Sequence, residues 1–483
     1  MLSNTHLALR SQVAELLQQI SAQEMRLKKL RAEWQSLQLQ LDAIIYPVST
    51  LPPEIISEIF AHCLPAVLSG NDAVNTAEAP LLLLQICSQW RRVALSTPRL
   101  WARLAIEVQA RFDCVSDIAK TWLNRAGNCP LSVRIEGPIC DIKEFTAFSK
   151  AFRRHTREIR SLDLIVPRDD LETMDMHHVD FPVLRDLSIG LLGHEQFDDF
   201  FEDPIEMFHD VPLLDKVHLR HLPPDLIALA WQQLRKFTGE FYEFSDCTEA
   251  LRLMPNLTEC AFSVYQTSRD IYADEPLSHP EMRSFTLFRS GKRAPEPMAC
   301  AADFLVVVTF PNLKTLELVE VGDYVPMDLH NFLTRSSPPL ERIVVRPGME
   351  RGPGAVDLSS HTFRQSHLTE VEMWYPACDF TEQFFECIRD NTFAPGLEKI
   401  CFHCRYRPDE DHAALVVEMA GNPVTERRRL VGVAQLRAFH VVAAAGTNLH
   451  LLKDLTDELR PFKILKEEGM DVFIGAEDGS NEV

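Results

Sequence analysis

PNLKTLEL, residues 311–318, is the clearest copy of a short unit that recurs through most of the chain. Leu313, Leu316 and Leu318 give it the form L-x-x-h-x-h, in which h is an apolar residue. Its last four positions alternate between apolar and polar, as a half-buried strand does. One such strand cannot bury its apolar face alone, so the recurrence predicts stacked units that share a core.

Ten strong copies of the unit follow one another from residue 159 to residue 441. Their apolar positions are Ile159/Leu162/Leu164, Leu184/Leu187/Ile189, Leu214/Val217/Leu219, Leu257/Cys260/Phe262, Met282/Phe285/Leu287, Leu313/Leu316/Leu318, Leu340/Ile343/Val345, Leu368/Val371/Met373, Leu397/Ile400/Phe402 and Leu436/Phe439/Val441. A weaker copy begins at Leu234, and an earlier one covers residues 130–135. Helical patterns at residues 197–201 and 328–333 lie between predicted strands.

The unit resembles a leucine-rich repeat, whose period is about 20–29 residues. One feature departs from that family, because the Asn or Cys expected three residues after the last strand position is absent. The residue three positions after Leu318 is Val321, and the residue three positions after Phe402 is Arg405. The longest interval, before Leu436, predicts an insertion that contains residues 427–429. The resemblance implies an irregular solenoid, and a general α/β array remains the alternative.

Side chains that alternate with the buried ones are predicted to line the inner face of the array. The candidates for a substrate surface are His218, Arg220, Glu317, Arg342, Arg346, Glu370, Glu372, Trp374, Lys399 and His403, and the same pattern includes Asp163, Ser188, Lys216 and His440. Mixed charge with one tryptophan is compatible with a protein-binding surface. A solvated sheet face without a ligand is the alternative for any single residue.

The first 46 residues predict one long helix. Its apolar residues recur at alternating steps of three and four, which is a heptad pattern over about five repeats. The two sets are Val13, Ile20, Leu27, Trp34 and Leu41, and Leu9, Leu16, Gln23, Leu30, Leu37 and Ile44. A parallel homodimer would place Arg26 opposite Arg31 of a second copy, so an amphipathic helix that docks on its own domain or on another protein stays open.

Residues 47–104 carry the most specific motif in the chain. The strings LPPEIISEIF at 51–60 and ICSQWRRVALSTPRLW at 86–101, with Leu64-Pro65 between them, predict two helical segments. Thr50 is a candidate cap for a first helix that starts at Pro52 or Pro53. Residues 81–94 predict the second helix. The pattern resembles an F-box of the fungal type, in which a heptad helix runs directly into the box, although the insertion between Pro65 and Pro80 is longer than in a compact F-box.

The F-box resemblance implies binding to the Skp-type adaptor of a cullin–RING ubiquitin ligase. The residues carried over by position are Leu51, Pro52, Ile55, Ile59, Phe60, Leu82, Leu83, Ile86, Cys87, Trp90, Leu100 and Trp101. The first five are expected to face the adaptor, and the rest are expected to divide between adaptor contact and core. Large aromatic and apolar side chains are typical anchors of an interface.

Composition and charge exclude several other classes of function. The net charge of −21 argues against non-specific binding to nucleic acid or to an anionic membrane surface. No apolar stretch reaches the ~18 residues of a membrane span, and no secretory signal is found at the start. Twelve scattered cysteines predict reduced thiols, and therefore a cytoplasmic or nuclear protein.

No motif for catalysis or for a cofactor appears. The sequence lacks a P-loop, a G-x-S-x-G elbow and an H-E-x-x-H helix. The densest group of ligand-type residues is Cys401, His403 and Cys404, with Cys387 and His412 further off. This spacing is not that of a structural zinc site. His177-His178 is predicted to be a solvated loop.

These observations predict an α/β chain in four parts. They are a coiled-coil-like helix at 1–46, an F-box at 47–104, an irregular leucine-rich-repeat-like solenoid at 105–465, and an acidic flexible tail at 466–483. The F-box resemblance implies a non-catalytic substrate-recognition subunit of a Skp–cullin–F-box ubiquitin ligase, without a cofactor. The alternative is a repeat scaffold whose F-box-like segment only caps the solenoid.

Overall fold

The chain forms two compact units, one ending at Trp101 and one beginning at Ala102. The computed structural model describes residues 2–42, 50–65, 74–108, 115–138, 142–173, 179–192, 204–266, 277–289, 301–319, 326–346, 367–376, 378–404, 412–444 and 456–476. None of the described helices combines the length and the apolar character that crossing a membrane requires.

The first unit is entirely helical. Its helices are α1 (Leu2–Asp42), α2 (Pro53–His62), α3 (Leu83–Ile86) and α4 (Ser88–Leu95), followed by a 3₁₀ turn over Pro98–Trp101. The predicted single helix over residues 81–94 is wrong, because Cys87 is extended and separates α3 from α4. The Cys87 thiol accepts a hydrogen bond from the backbone N–H of Trp90 at 3.4 Å, and so it caps α4 as a serine side chain would.

The second unit is built on one parallel sheet of fourteen strands, which lie side by side in the order of the sequence. They are β1 (Arg103–Glu107), β2 (Leu131–Glu136), β3 (Ile159–Val166), β4 (Asp186–Leu191), β5 (Lys216–Arg220), β6 (Lys236–Glu243), β7 (Glu259–Gln266), β9 (Ser284–Arg289), β11 (Thr315–Val319), β12 (Arg342–Arg346), β13 (Glu370–Trp374), β14 (Lys399–Cys404), β15 (Ala438–Ala443) and β16 (Asp471–Ala476). Two short strands, β8 (Leu277–Ser278) and β10 (Val308–Thr309), form a separate parallel pair.

Helices connect many of these parallel strands, as crossover connections require. They are α5 (Val115–Ala126), α6 (Ile142–Arg153), α7 (Arg168–Thr173), α8 (Phe244–Leu253), α9 (Pro326–Ser336), α10 (Cys378–Cys387), α11 (His412–Arg429) and α12 (Thr456–Glu467). The helical pattern predicted at 328–333 is confirmed by α9, and the one predicted at 197–201 lies outside the described residues. The apolar positions of all ten strong repeat units are buried.

Two parts of the second unit extend or correct the sequence prediction. The interval before Leu436, which was predicted to contain an insertion, holds the 18-residue helix α11. Residues from 466 onward were predicted to fray, but α12 extends to Glu467 and β16 then pairs in register with β15. The strand DVFIGA at 471–476 lacks the leucine that begins a typical unit, which explains why the repeat pattern did not identify it.

Asp246 is a titratable group inside the fold, and it makes the stability of α8 dependent on pH. Its side chain accepts a hydrogen bond from the backbone N–H of Glu243 at 2.8 Å and completes a capping box. Burial raises the pKa of Asp246 from 3.8 to about 6. Because the folded-state pKa lies above the unfolded value, the ionised carboxylate destabilises the fold at neutral pH, and protonation removes that cost as the pH falls.

We therefore expect Asp246→Asn to raise the free energy of unfolding at neutral pH by about 2 kcal/mol. The amide keeps an acceptor for the Glu243 N–H and carries no charge. The gain should shrink as the pH falls through about 6 and approach zero near ~pH 3, where the wild-type carboxyl is mostly protonated in both states. Urea unfolding at the two pH values measures the difference, with Glu249→Gln on the same helix as the control. A destabilisation of equal size at both pH values would contradict this account.

Candidate protein-binding surfaces

The motif LPPEIISEIF forms the start and body of α2. Pro52 is the N-cap residue and Pro53 is the first helical residue, where a missing N–H costs little. The carbonyl of Pro52 accepts the first hydrogen bond of the helix, from the Ile55 N–H at 3.0 Å. The prediction that Thr50 caps this helix is wrong, because Pro52 occupies the cap position and no side chain caps it.

Aromatic and ionic contacts hold the first unit together around α2. The rings of Phe60 and Trp90 lie 4.9 Å apart, and the indole N–H of Trp101 donates to the carbonyl of Ala94 at 2.9 Å. The guanidinium of Arg99 donates to both carboxylate oxygens of Glu58, at 3.0 and 3.1 Å. That hydrogen bonding lowers the pKa of Glu58. α2 is thereby fixed to the segment that follows α4.

The structure divides the twelve F-box-like positions by exposure. Pro52, Ile55, Ile59, Leu82, Ile86 and Cys87 are exposed, Leu51 and Trp90 are half-buried, and Phe60, Leu83, Leu100 and Trp101 are buried. Phe60 was expected to face the adaptor, but it belongs to the core because it packs on Trp90. We call Ile55, Ile59, Leu82 and Ile86 the apolar box residues; they are 39–52% exposed. Ile55 and Ile59 are at i, i+4 spacing and lie on one side of α2. Leu82 is the N-cap residue of α3 and Ile86 is its last residue, at the same spacing.

One face of the fourteen-stranded sheet carries the side chains that were predicted to line the array. The parallel register aligns them in rows across neighbouring strands. One row contains Asp186, Lys216, Lys236, Glu259, Arg342, Glu370 and Lys399; the next contains Asp163, Ser188, His218, Glu317, Glu372, Cys401 and His440; the third contains Arg220, Glu240, Arg346, Trp374 and His403. We call these residues the open face.

Ion pairs neutralise much of the charge on this face. Arg342 pairs with Glu317, with Glu372 at 2.9 Å and with Glu370 at 3.5 Å. Lys399 reaches Glu370 from the next strand at 2.8 Å. Burial alone would raise the pKa of Glu370, but Lys399 and Arg342 together hold it below its ordinary value. Opposite charges on adjacent strands therefore fix these side chains in one arrangement.

Trp374 is a large aromatic residue of the open face, and its ring contacts the side chains of His403 and Arg346. The ring of His403 stacks on it at 3.6 Å with an angle of 4° between the planes. The guanidinium carbon of Arg346 lies 4.3 Å from the ring centroid of Trp374. The indole N–H donates to Glu372 at 2.9 Å. The stack presents a rigid group of the kind that anchors protein interfaces.

The sequence pattern missed Glu240, which organises the open face near β5. His218 lies 3.0 Å and Arg220 2.8 Å from its carboxylate oxygens. Hydrogen bonding to His218, together with Arg220, lowers the pKa of Glu240 to about 2 although burial opposes this. β6 was only weakly recognised because Gly239 stands where an apolar residue is expected. The ring of Tyr242 fills that space, since a Cβ atom at Gly239 would lie 2.7 Å from it.

The cysteines near residue 401 have the environment of structural thiols. The Cys401 sulfur lies 3.4 Å from Nε2 of His403, and burial raises the pKa of Cys401 to about 12. A thiol with such a pKa is not a nucleophile at neutral pH. Within the part of the chain that the structure describes, no three His, Cys, Asp or Glu side chains converge as metal ligands would. His177-His178 lies outside that part.

Comparison with known proteins gives no further assignment. No protein-family model matches the chain, and a search of curated proteins finds no match either.

Proposed function

We propose that this chain is the substrate-recognition subunit of a Skp–cullin–F-box ubiquitin ligase. Its F-box-like segment would bind the Skp-type adaptor, and its strands would bind a protein substrate. The observation that carries the proposal is the exposure of Ile55 and Ile59, 49% and 42%, inside the motif LPPEIISEIF. In this role the chain contributes proximity, since it holds the substrate near the ligase that transfers ubiquitin.

The apolar box residues support an adaptor interface on physical grounds. Because these side chains are 39–52% exposed, each gains about 0.7–1.5 kcal/mol when a partner buries the remainder, roughly half the value for a fully exposed side chain. The core beneath them, with Phe60 against Trp90 and Arg99 on Glu58, fixes the helix that presents Ile55 and Ile59. A surface held in place before binding loses little conformational entropy when the partner arrives.

The second half of the proposal concerns the repeats. Parallel strands that follow the sequence order, with buried positions repeating every 20–39 residues, support a leucine-rich-repeat-like solenoid. Its open face would be the substrate surface, with the stack of Arg346, Trp374 and His403 as its most rigid part. The charge pairs around Arg342 would disfavour partners that cannot match them, because unmatched charges at an interface are costly.

Co-purification of the full-length chain with a Skp-type adaptor tests this function. We expect the wild-type chain to bind, and Ile55→Asp with Ile59→Asp to weaken binding at least about a hundredfold, because two carboxylates would have to enter an apolar interface. Val431→Asp is the matched control, since Val431 is 89% exposed in the second unit. It should bind as the wild type does.

The same experiment decides against the alternative of a repeat scaffold without a ligase role. In that alternative the F-box-like segment only caps the array. A wild-type chain that ignores the adaptor while its repeats remain folded by circular dichroism would favour the scaffold and overturn the proposal.

A further inference from the structure

α1 carries an apolar heptad face that nothing in the described chain covers. Its members, which we call the α1 seam, are Leu9, Val13, Leu16, Ile20, Leu27, Leu30, Trp34 and Leu37, and each is 49–65% exposed. Gln23 is the one polar residue in the same series. The sequence left open that this helix docks on its own domain, but among the residues that the structure describes none covers the seam.

A helix of this kind needs a partner. Isolated helices gain little stability in water, and most helical stability in proteins comes from packing of an amphipathic face. α1 has 41 residues and is about 60 Å long. A contiguous exposed apolar stripe of that length is the kind of feature that marks an interaction site.

We propose that α1 pairs with α1 of a second copy of this chain, in an antiparallel coiled coil centred between Lys28 and Lys29. In this register Leu27 lies opposite Leu30 of the second copy, and Ile20 lies opposite Leu37. Trp34 lies opposite Gln23, so the largest seam residue meets the polar one. Each layer then combines one residue from each of the two heptad sets, as antiparallel packing requires.

Charge complementarity on the flanks of the seam selects the antiparallel orientation. In a parallel pair the flanking Arg26 meets Arg31 of the second copy, a like-charge contact that occurs twice. In the antiparallel pair Arg26 and Glu33 are equivalent flanking positions that face each other. In this register Glu33 of the second copy lies two residues beyond the level of Arg26, which is about 3 Å along the axis. Glu24 and Arg31 stand in the same relation on the other flank. Flanking charges of this kind set partner and orientation in coiled coils.

Disulfide trapping in the full-length chain tests the pairing. Two variants are made separately, Gln23→Cys and Trp34→Cys, and are mixed before mild oxidation. The antiparallel register predicts a covalent dimer in the mixture and none above wild-type background for either variant alone. A covalent dimer from Gln23→Cys alone would show a parallel pair, and no covalent dimer in any sample would show that second copies do not meet here. Both results overturn the proposal.

A charge reversal gives an independent measurement by sedimentation equilibrium. Arg26→Glu places two acidic residues together in the antiparallel pair, so we expect the dimer dissociation constant to rise by about tenfold. In a parallel pair the same change would remove the contact between arginines and tighten the dimer. Lys28→Glu is the matched control, because Lys28 points away from the seam, and it should shift the constant less than about twofold. A monomeric wild-type chain would leave another protein as the occupant and refute self-association.

Discussion

Arg427→Met is expected to lower the free energy of unfolding of the second unit by about 3 kcal/mol. Arg427 is completely buried in α11, and its guanidinium donates to the carbonyls of Phe393 at 2.9 Å and Ala394 at 2.5 Å. These carbonyls belong to the turn between α10 and β14. Methionine fills most of the same volume but has no donor, and a buried carbonyl left unpaired costs about 1–3 kcal/mol.

Part of that loss is recovered, because methionine does not have to bury a charge. Burial lowers the pKa of Arg427, and the charge of the Asp390 carboxylate opposes this effect. Two free energies oppose each other: the cost of leaving the carbonyls unpaired and the gain from no longer burying a charge. We expect the cost to be larger, because two carbonyls lose close hydrogen bonds. Urea unfolding of the full chain and hydrogen exchange over residues 388–404 measure the outcome.

Two variants control this measurement. Arg429→Met changes an exposed arginine of the same helix and should alter stability by less than about 0.5 kcal/mol. Arg427→Lys should fall between methionine and the wild type, because an ammonium can donate to a carbonyl but lacks the planar fork of the guanidinium. If Arg427→Met proved as stable as Arg429→Met, the carbonyl turn would not depend on this side chain.

The buried position of Arg427 could not be predicted from the sequence, although the strands of this fold could. Alternation of apolar residues predicted the strands of the repeat units, because burial of every second side chain leaves a local signature. The three arginines at 427–429 were predicted only to lie in an insertion. Arg427 is instead a buried donor whose acceptors lie 33 to 39 residues earlier in the chain. A contact of that separation leaves no local pattern.

The binding surfaces show the same limit. The motif at 51–60 predicted a helix with an apolar face, and α2 confirms that helix. It did not separate Ile59, which is exposed, from its neighbour Phe60, which is buried, because the packing of Phe60 depends on Trp90 thirty residues later. Glu240 was missed for a related reason, since the tyrosine that replaces the apolar residue at Gly239 comes three positions further along.

Phe60→Ala is expected to unfold the F-box-like segment locally. Phe60 is 1% exposed, and removing a buried phenylalanine ring costs about 3–5 kcal/mol. A helical unit of this size has little stability to lose, because small units bury only a modest fraction of their surface. Hydrogen exchange over residues 53–62 and 88–95 should accelerate by about two to three orders of magnitude in the full chain.

Ile59→Ala is the matched control, since it removes an adjacent apolar side chain that is 42% exposed. It should leave exchange nearly unchanged and weaken adaptor binding, because it touches the surface and not the core. Phe60→Ala should weaken binding by a different route, through loss of the helix that presents Ile55 and Ile59. The two causes separate in one data set: binding lost with protected amides indicates a surface contact, and binding lost with exposed amides indicates unfolding. Protected amides in Phe60→Ala would contradict the assignment of Phe60 to the core.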